Sequence, residues 1–247
     1  MKRVRAIASI LVSILSVSAF AANISSEEAA KQAEFKKAYN NIDKAERMKA
    51  LDLLDGCIHP SSLQILATVA QADRDDEVKK QAFSNLAQAP AHDMSVAKML
   101  VMIFQSIKPV EIDERLAYAQ LMTSSQFKYP IVEALADWGS KQRYPERFTG
   151  VRQPGQNVDP NIAIDKQRAQ YKAFLNIFNN LTNAGLKAVD RNSPSDVRKW
   201  WEQNAAKVAA ADKELLDKYR AEDEAKRDNT NPLVPKKGEK EEKKADK

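Results

Sequence analysis

Val96-Ala97-Lys98-Met99-Leu100-Val101-Met102-Ile103-Phe104-Gln105-Ser106-Ile107 decides the fold class. Val96, Met99, Leu100, Ile103, Phe104 and Ile107 recur at the three-and-four spacing of one helix face, sustained for three turns. The same rule holds upstream in Leu63, Leu66, Ala67 and Ala70, and downstream in Ile131, Leu135 and Trp138. Shorter apolar sets lie between these, in Met48, Leu51 and Leu54, in Val78, Ala82 and Leu86, and in Ile112, Leu116 and Ala119. The breaks carry their own chemistry. His59-Pro60 puts proline at a first helical position, Asp75 and Asp76 offer a cap ahead of Val78, and Pro90 and Pro109 end the elements before them.

The helices are evenly spaced. Leu66 superposes on Leu100 with a shift of 34, and Val96 on Ile131 and Ile103 on Trp138 with a shift of 35. The preceding helices shift by 32 (Ala50 to Ala82, Leu54 to Leu86) and then by 35 (Ala82 to Ala117, Leu86 to Leu121). Self-similarity at this period predicts a helical solenoid, in which each pair buries its apolar face only by stacking on its neighbours. An irregular bundle with accidental spacing is the alternative. The chain has only six Gly, and no Asn-Gly or Asp-Gly pair forms a plausible hairpin turn.

Outside the repeats, Ser25 and Glu28 stand at capping-box spacing and open a helix to about Tyr39 with a thin apolar face. From Ser140 to Ala163 the pattern stops, with Pro145, Pro154 and Pro160. Arg143, Arg147 and Arg152 interleave there with Tyr144 and Phe148, an arrangement suited to an anionic or planar ligand, the alternative being a solvated linker whose aromatics fold back on the last repeat. Helical pattern resumes at Ile164, with Tyr171, Phe174, Leu175 and Phe178 on one face. Ser193-Pro194-Ser195-Asp196 reads as a helix start with Ser193 as the cap and Pro194 first in the helix. In the helix that follows, Val197, Trp201, Ala205 and Val208 form the face expected to be buried, and Trp200 flanks it.

Two stretches resemble known proteins. Asp76-Glu77-Val78-Lys79-Lys80-Gln81-Ala82-Phe83-Ser84-Asn85-Leu86 resembles a HEAT repeat, with pairs at about 42–74, 75–109 and 110–139. Phe174-Leu175-Asn176-Ile177-Phe178-Asn179-Asn180-Leu181-Thr182, followed by Val197-Arg198-Lys199-Trp200-Trp201-Glu202-Gln203-Asn204, is similar to the C-terminal segment of bacterial exported HEAT-repeat proteins. It departs from their pattern in the loop, where Asn183 stands in place of a Gly directly after Leu-Thr. The resemblance implies architecture more than chemistry: an all-α, HEAT-like right-handed α-solenoid of about three to four helix pairs with a C-terminal helical extension.

The ends of the sequence bear on compartment and partners. Lys2, Arg3 and Arg5 precede an apolar run from Ala6 to Phe20, and Ala19-Phe20-Ala21 is a small-x-small cleavage site. That is the layout of a secretory signal peptide and is short for a bilayer span, an uncleaved anchor being the alternative. The expected product begins at Ala22, is periplasmic or secreted, and inserts into no membrane. The chain holds 39 basic and 34 acidic residues, three of the basic ones in 1–21, so 36 face 34 in the remainder, and nucleic acid is not an expected partner. Residues 228–247 read as a disordered charged tail. The expected organisation is a signal peptide (1–21), a capping helix (22–41), repeats (42–139), a loop (140–163), C-terminal helices packing on the repeats (164–227) and the tail.

Catalytic machinery is sparse. His59 and His92 are the two histidines and Cys57 the one cysteine, too few ligands for a zinc centre. Cys57 reads as a small buried residue rather than a reactive thiol, since nothing near it lowers its pKa strongly. Asp73, Asp75, Asp76 and Glu77 lack the spacing of a calcium loop. There is no phosphate loop, dinucleotide motif or nucleophile elbow. No catalytic residue, metal or cofactor is expected. The expected function is binding of a protein or peptide. The alternatives are an envelope hydrolase or lyase using paired carboxylates, and anion binding by the Arg143–Arg152 loop. Superposing the repeats aligns Gln64 with Lys98 and Thr68 with Met102 at 34, then Lys98 with Glu133 and Met102 with Asp137 at 35. With Gln71 and Gln105 these form a ladder on the second helix of each pair, where HEAT-like stacks are concave. It is either a binding stripe or the solvated face of any amphipathic helix.

Overall fold

The computed structural model describes residues 24–90, 92–150, 159–190 and 192–230. The signal-peptide and tail assignments therefore lie outside the described residues, apart from the first few tail positions. The described chain is all-α, without strands, and is compatible with a helical-repeat solenoid. Its helices are α1 (Ser26–Tyr39), α2 (Lys44–Asp52), α3 (Pro60–Ala72), α4 (Asp76–Gln88), α5 (Ser95–Ser106), α6 (Ile112–Met122), α7 (Tyr129–Ser140), α8 (Pro160–Thr182) and α9 (Ser193–Thr230). None is long and apolar enough to cross a membrane.

The helices pack in two rows. In one, α2 touches α4, α4 touches α6 and α6 touches α8; in the other, α3 touches α5, α5 touches α7 and α7 touches α9. The core lies between the rows. Leu51, Leu66, Val78, Phe83, Leu86, Leu100, Phe104, Ile131 and Leu135 are almost wholly buried there. Each such side chain contributes about 1.5–3 kcal/mol of burial, so the repeat-face residues read from the sequence account for much of the stack's cohesion. Toward the C-terminal end the core becomes an aromatic chain. Phe104 meets Trp138 (5.5 Å), Trp138 meets Phe174 (5.2 Å), Phe174 meets Phe178 (5.9 Å) and Phe178 meets Trp200 (5.3 Å).

Local chemistry starts and stops the helices. Ser25 Oγ accepts from the Glu28 N–H, but the Glu28 carboxylate does not complete a capping box. It accepts instead from the His59 N–H (3.0 Å) and the Ser62 hydroxyl, tying α1 to the start of α3. Asp75 caps α4 as expected, and His59 caps α3 ahead of Pro60. Helix α8 begins at Pro160 behind an Asp159 cap, four residues before the sequence pattern resumes. Ser193 is not an N-cap. It lies inside α9, and its Oγ accepts from the Val189 and Asp190 N–H groups, closing the preceding loop. Asn183 adopts the left-handed conformation (φ 56°) as the C-cap of α8, the role a glycine usually fills and one asparagine tolerates.

Two features hold α9 against the stack. The α7 N-terminus has no cap of its own. Buried Asp212 of α9 supplies one, accepting from the Lys128 N–H (3.0 Å) and the Tyr129 N–H (2.8 Å). Further along, Tyr219 donates to Gln126 Oε1 and stacks on His92 at 4.5 Å, while His92 Nδ1 lies 3.3 Å from the Asp223 carboxylate. The expectation that Trp201 is buried and Trp200 flanks it needs correction. Both are half-buried; of their face only Val197 is closed off, because Trp201 borders an open cleft.

Candidate functional site: a cleft between α5, α7 and α9

The exposed edges of α5, α7 and α9 enclose an open cleft of about 1050 Å³. Lys98, Met102 and Gln105 reach it from α5, Glu133 and Asp137 from α7, and Arg198, Trp201 and Glu202 from α9. Helix periodicity explains the placement. The apolar face of α5 turns Val96, Leu100, Ile103 and Phe104 into the core, which leaves Lys98, Met102 and Gln105 on its opposite side. The same applies to α7, where Ile131, Leu135 and Trp138 face inward and Glu133 and Asp137 outward.

The surface of the cleft is mixed. Met102 is 51% exposed. Tyr129 and Trp201, half-buried with ring centroids 5.3 Å apart, add an aromatic shelf. Around them lie charges of both signs. Asp137 is paired with Lys141 (2.7 Å) and Glu202 with Arg198 (2.9 Å), each partner four residues away on the same helical stretch. Such exposed pairs are worth about 0.3–0.5 kcal/mol, little enough for a ligand to break. Lys98 and Glu133 form no ion pair among the described residues.

The structure thus gathers five of the eight stripe residues (Lys98, Met102, Gln105, Glu133 and Asp137) at one cleft. Gln64, Thr68 and Gln71 lie on α3 outside its lining, and the Thr68 hydroxyl donates to the Gln64 carbonyl of its own helix (2.8 Å). Tyr129, Arg198, Trp201 and Glu202 were not in the stripe. Periodicity gives no signal for Trp201, which it assigns to the buried face of α9 with Val197, Ala205 and Val208.

The arginine loop does not assemble as one anion site. Arg147 is committed to Asp165 through two contacts, 3.0 and 2.7 Å, and the carboxylate raises its pKa. Tyr144 is buried, with the Arg168 guanidinium 4.4 Å from its ring centre. Arg152 lies outside the described residues. Arg143 is exposed and stands at a separate small pocket of about 180 Å³ between α7 and α8. Trp138 and Tyr171 wall that pocket, and the Trp138 Nε1–H and Tyr171 hydroxyl are buried without a hydrogen-bond partner among the described residues. An unmet buried donor costs about 1–3 kcal/mol.

Other titratable groups are structural. Arg47 and Asp73 form a buried pair with contacts of 3.2 Å, Tyr39 donates to Asp73, and Arg47 donates to the Ile42 carbonyl. Burial first, and the Asp73 contact second, push the Tyr39 hydroxyl well above its ordinary pKa. The rest of the acidic turn is spent likewise: Asp75 caps α4, Asp76 pairs with Lys79 and Glu77 with Lys44. Cys57 is buried, and desolvation, aided by Glu28, raises its thiol pKa. No cluster of three or more metal-ligating side chains occurs among the described residues. No protein-family model, curated protein or solved structure matches the chain.

Proposed function

We propose that this chain is an exported, non-enzymatic HEAT-like right-handed α-solenoid that holds an extended protein or peptide segment in the cleft between α5, α7 and α9. The observation that carries the reading is a coincidence of two independent patterns. Positions aligned by the repeat period (Lys98 with Glu133, Met102 with Asp137) also line one cleft, beside an exposed methionine and a tyrosine–tryptophan shelf. Tryptophan, tyrosine, methionine and arginine are the side chains enriched where proteins meet. An extended segment fits the surface better than a compact substrate, because the cleft is open and carries charges of both signs. The segment would set a basic residue against Glu133, an acidic one against Lys98 and an apolar one on Met102 and Trp201. The two rows of helices and the signal-like residues 1–21 support the solenoid and export parts of the reading.

The hydrolase alternative finds less support. Of the cleft carboxylates, Asp137 and Glu202 are each held by a cation on an exposed surface. Paired acid–base catalysis needs environments that drive two carboxyl groups apart in pKa.

Site-specific photocrosslinking tests the reading. A crosslinker at Met102, at Glu202 or, as a control, at exposed Lys80 on α4 is introduced into the protein in its own envelope. The expectation is one shared partner adduct from Met102 and Glu202 and none from Lys80. Equal labelling from Lys80, or no adduct from the cleft, contradicts it. Intact-mass analysis of the recovered protein should find a chain beginning at Ala22; one beginning at Met1 contradicts signal cleavage.

A further inference from the structure

Helices α5, α7 and α9 lie side by side, and each brings a different chemistry to the cleft. Trp201 of α9 forms the aromatic shelf with Tyr129. Glu133 of α7 and Lys98 of α5 are the charged lining groups without an ion pair among the described residues, since Asp137 is held by Lys141 and Glu202 by Arg198. A strand laid across the three helices meets an aromatic surface, then a carboxylate, then an ammonium. Packed helices lie about 8–10 Å apart, which sets the step between these contacts.

The chain carries a segment that reads in the same order. Beyond α9 come Pro232-Leu233-Val234-Pro235, Lys236-Lys237 and Gly238-Glu239. Two prolines three apart are the spacing of ligands that dock as polyproline helices in aromatic-lined grooves. Proline fixes its own φ and pushes the preceding residue to extended backbone, so such a segment gives up less freedom on docking. In that conformation every third residue shares a face, about 9 Å apart. Leu233, Lys236 and Glu239 are such a set, one apolar, one basic and one acidic.

The segment does not reach its own shelf. Asp212 accepts from the Tyr129 N–H and so marks the shelf on α9. Thr230 ends the helix 18 residues later, about 27 Å along it. Leu233 lies three residues beyond, an extension of at most about 11 Å. The cleft it can reach belongs to another copy.

We propose that residues 232–239 of one copy dock across the α5–α7–α9 cleft of a second, with Leu233 on the Tyr129–Trp201 shelf, Lys236 on Glu133 and Glu239 on Lys98. The proposal rests on the cleft being the binding surface and names its occupant. Each copy has one tail to give and one cleft to fill, so the association is head-to-tail.

Sedimentation of the full chain tests this with one variant on each side of the contact. Leu233→Ser with Val234→Ser spoils the tail. Lys98→Glu with Glu133→Lys, both at exposed positions, spoils the cleft and keeps the fold. The unaltered chain should associate as its concentration rises, and each variant at least about tenfold more weakly. An equimolar mixture of the two variants should form a one-to-one dimer and nothing larger, because one intact tail meets one intact cleft. Adding Lys236→Glu and Glu239→Lys to the cleft variant should restore its association. A chain that stays monomeric up to about 1 mM, or a mixture no better than either variant alone, overturns the proposal. A crosslinker at Met102 separates it from the wider reading. An adduct of two identical chains supports it; an adduct with a different protein alone overturns it and leaves the cleft a binding surface; no cleft adduct contradicts both.

Discussion

The two ends of the helical stack are held by different physics. At the N-terminal end, Tyr39, Arg47 and Asp73 form a buried polar knot joining α1, α2 and the end of α3. At the C-terminal end an aromatic chain runs from Phe104 through Trp138, Phe174 and Phe178 to Trp200. A buried ion pair is unforgiving: it demands both partners, and it leaves no room for a ligand. Aromatic packing is more tolerant of open edges, and both the cleft and the small pocket lie at that end. The N-terminal end satisfies its own polar groups, whereas the C-terminal end leaves open surface.

The knot is the place to break first. Asp73→Ala leaves the Arg47 guanidinium buried and unpaired, which typically costs about 3–5 kcal/mol. Denaturant melts should show a loss of that order, and Tyr39→Phe a smaller one. The aromatic end should respond less and unevenly. Trp200→Ala, which removes the contact with Phe178, should cost about 2–3 kcal/mol, less than the ~3–5 of a fully buried large aromatic. Trp201→Ala should cost about 1 kcal/mol, since its ring borders the cleft, and the same melts rank the two.

Gly139 reports how firmly the aromatic end is packed. A Cβ there would lie 2.1 Å from the end of the Phe174 ring, and that ring is fully buried and locked between Trp138 and Phe178. Gly139→Ala should therefore destabilise by about 1–2 kcal/mol, even though alanine is the better helix former by about 1 kcal/mol. A stabilised variant would mean the ring moves freely and the aromatic chain is loose. A comparably small effect, confined to one helix end, is expected at Asp212. Asp212→Ala removes the cap of α7 and should cost about 0.5–2 kcal/mol, with amide exchange quickening first at Lys128 and Tyr129.

Much of the fold was legible because helices declare themselves locally. The apolar faces of α3, α5 and α7 and the caps at Ser25, His59 and Asp75 are all properties of a few neighbouring residues. The knot was not legible. Arg47 and Asp73 are 26 residues apart, and nothing in sequence separates a charge destined for burial from a solvated one. The Asp212 cap spans more than 80 residues and is equally silent. Gly139 marked a boundary in the sequence, while its close approach to Phe174 depends on how α8 crosses α7. At the cleft, the repeat period supplied five of its residues from α5 and α7. It missed the contribution of α9, because Val197, Trp201, Ala205 and Val208 share a helical face that periodicity alone assigns to the interior.

The most direct test of the cleft as the binding surface is the affinity of a charge-reversed protein for the partner captured by crosslinking. Lys98→Glu, Glu133→Lys and Asp137→Lys are combined in one chain. All three sites are exposed, so the thermal midpoint should shift by only about 1–2 °C. The dissociation constant should rise about tenfold or more, equivalent to ~1.4 kcal/mol or above. An unchanged affinity with an unchanged midpoint contradicts the account, because the cleft would then be an ordinary solvated face.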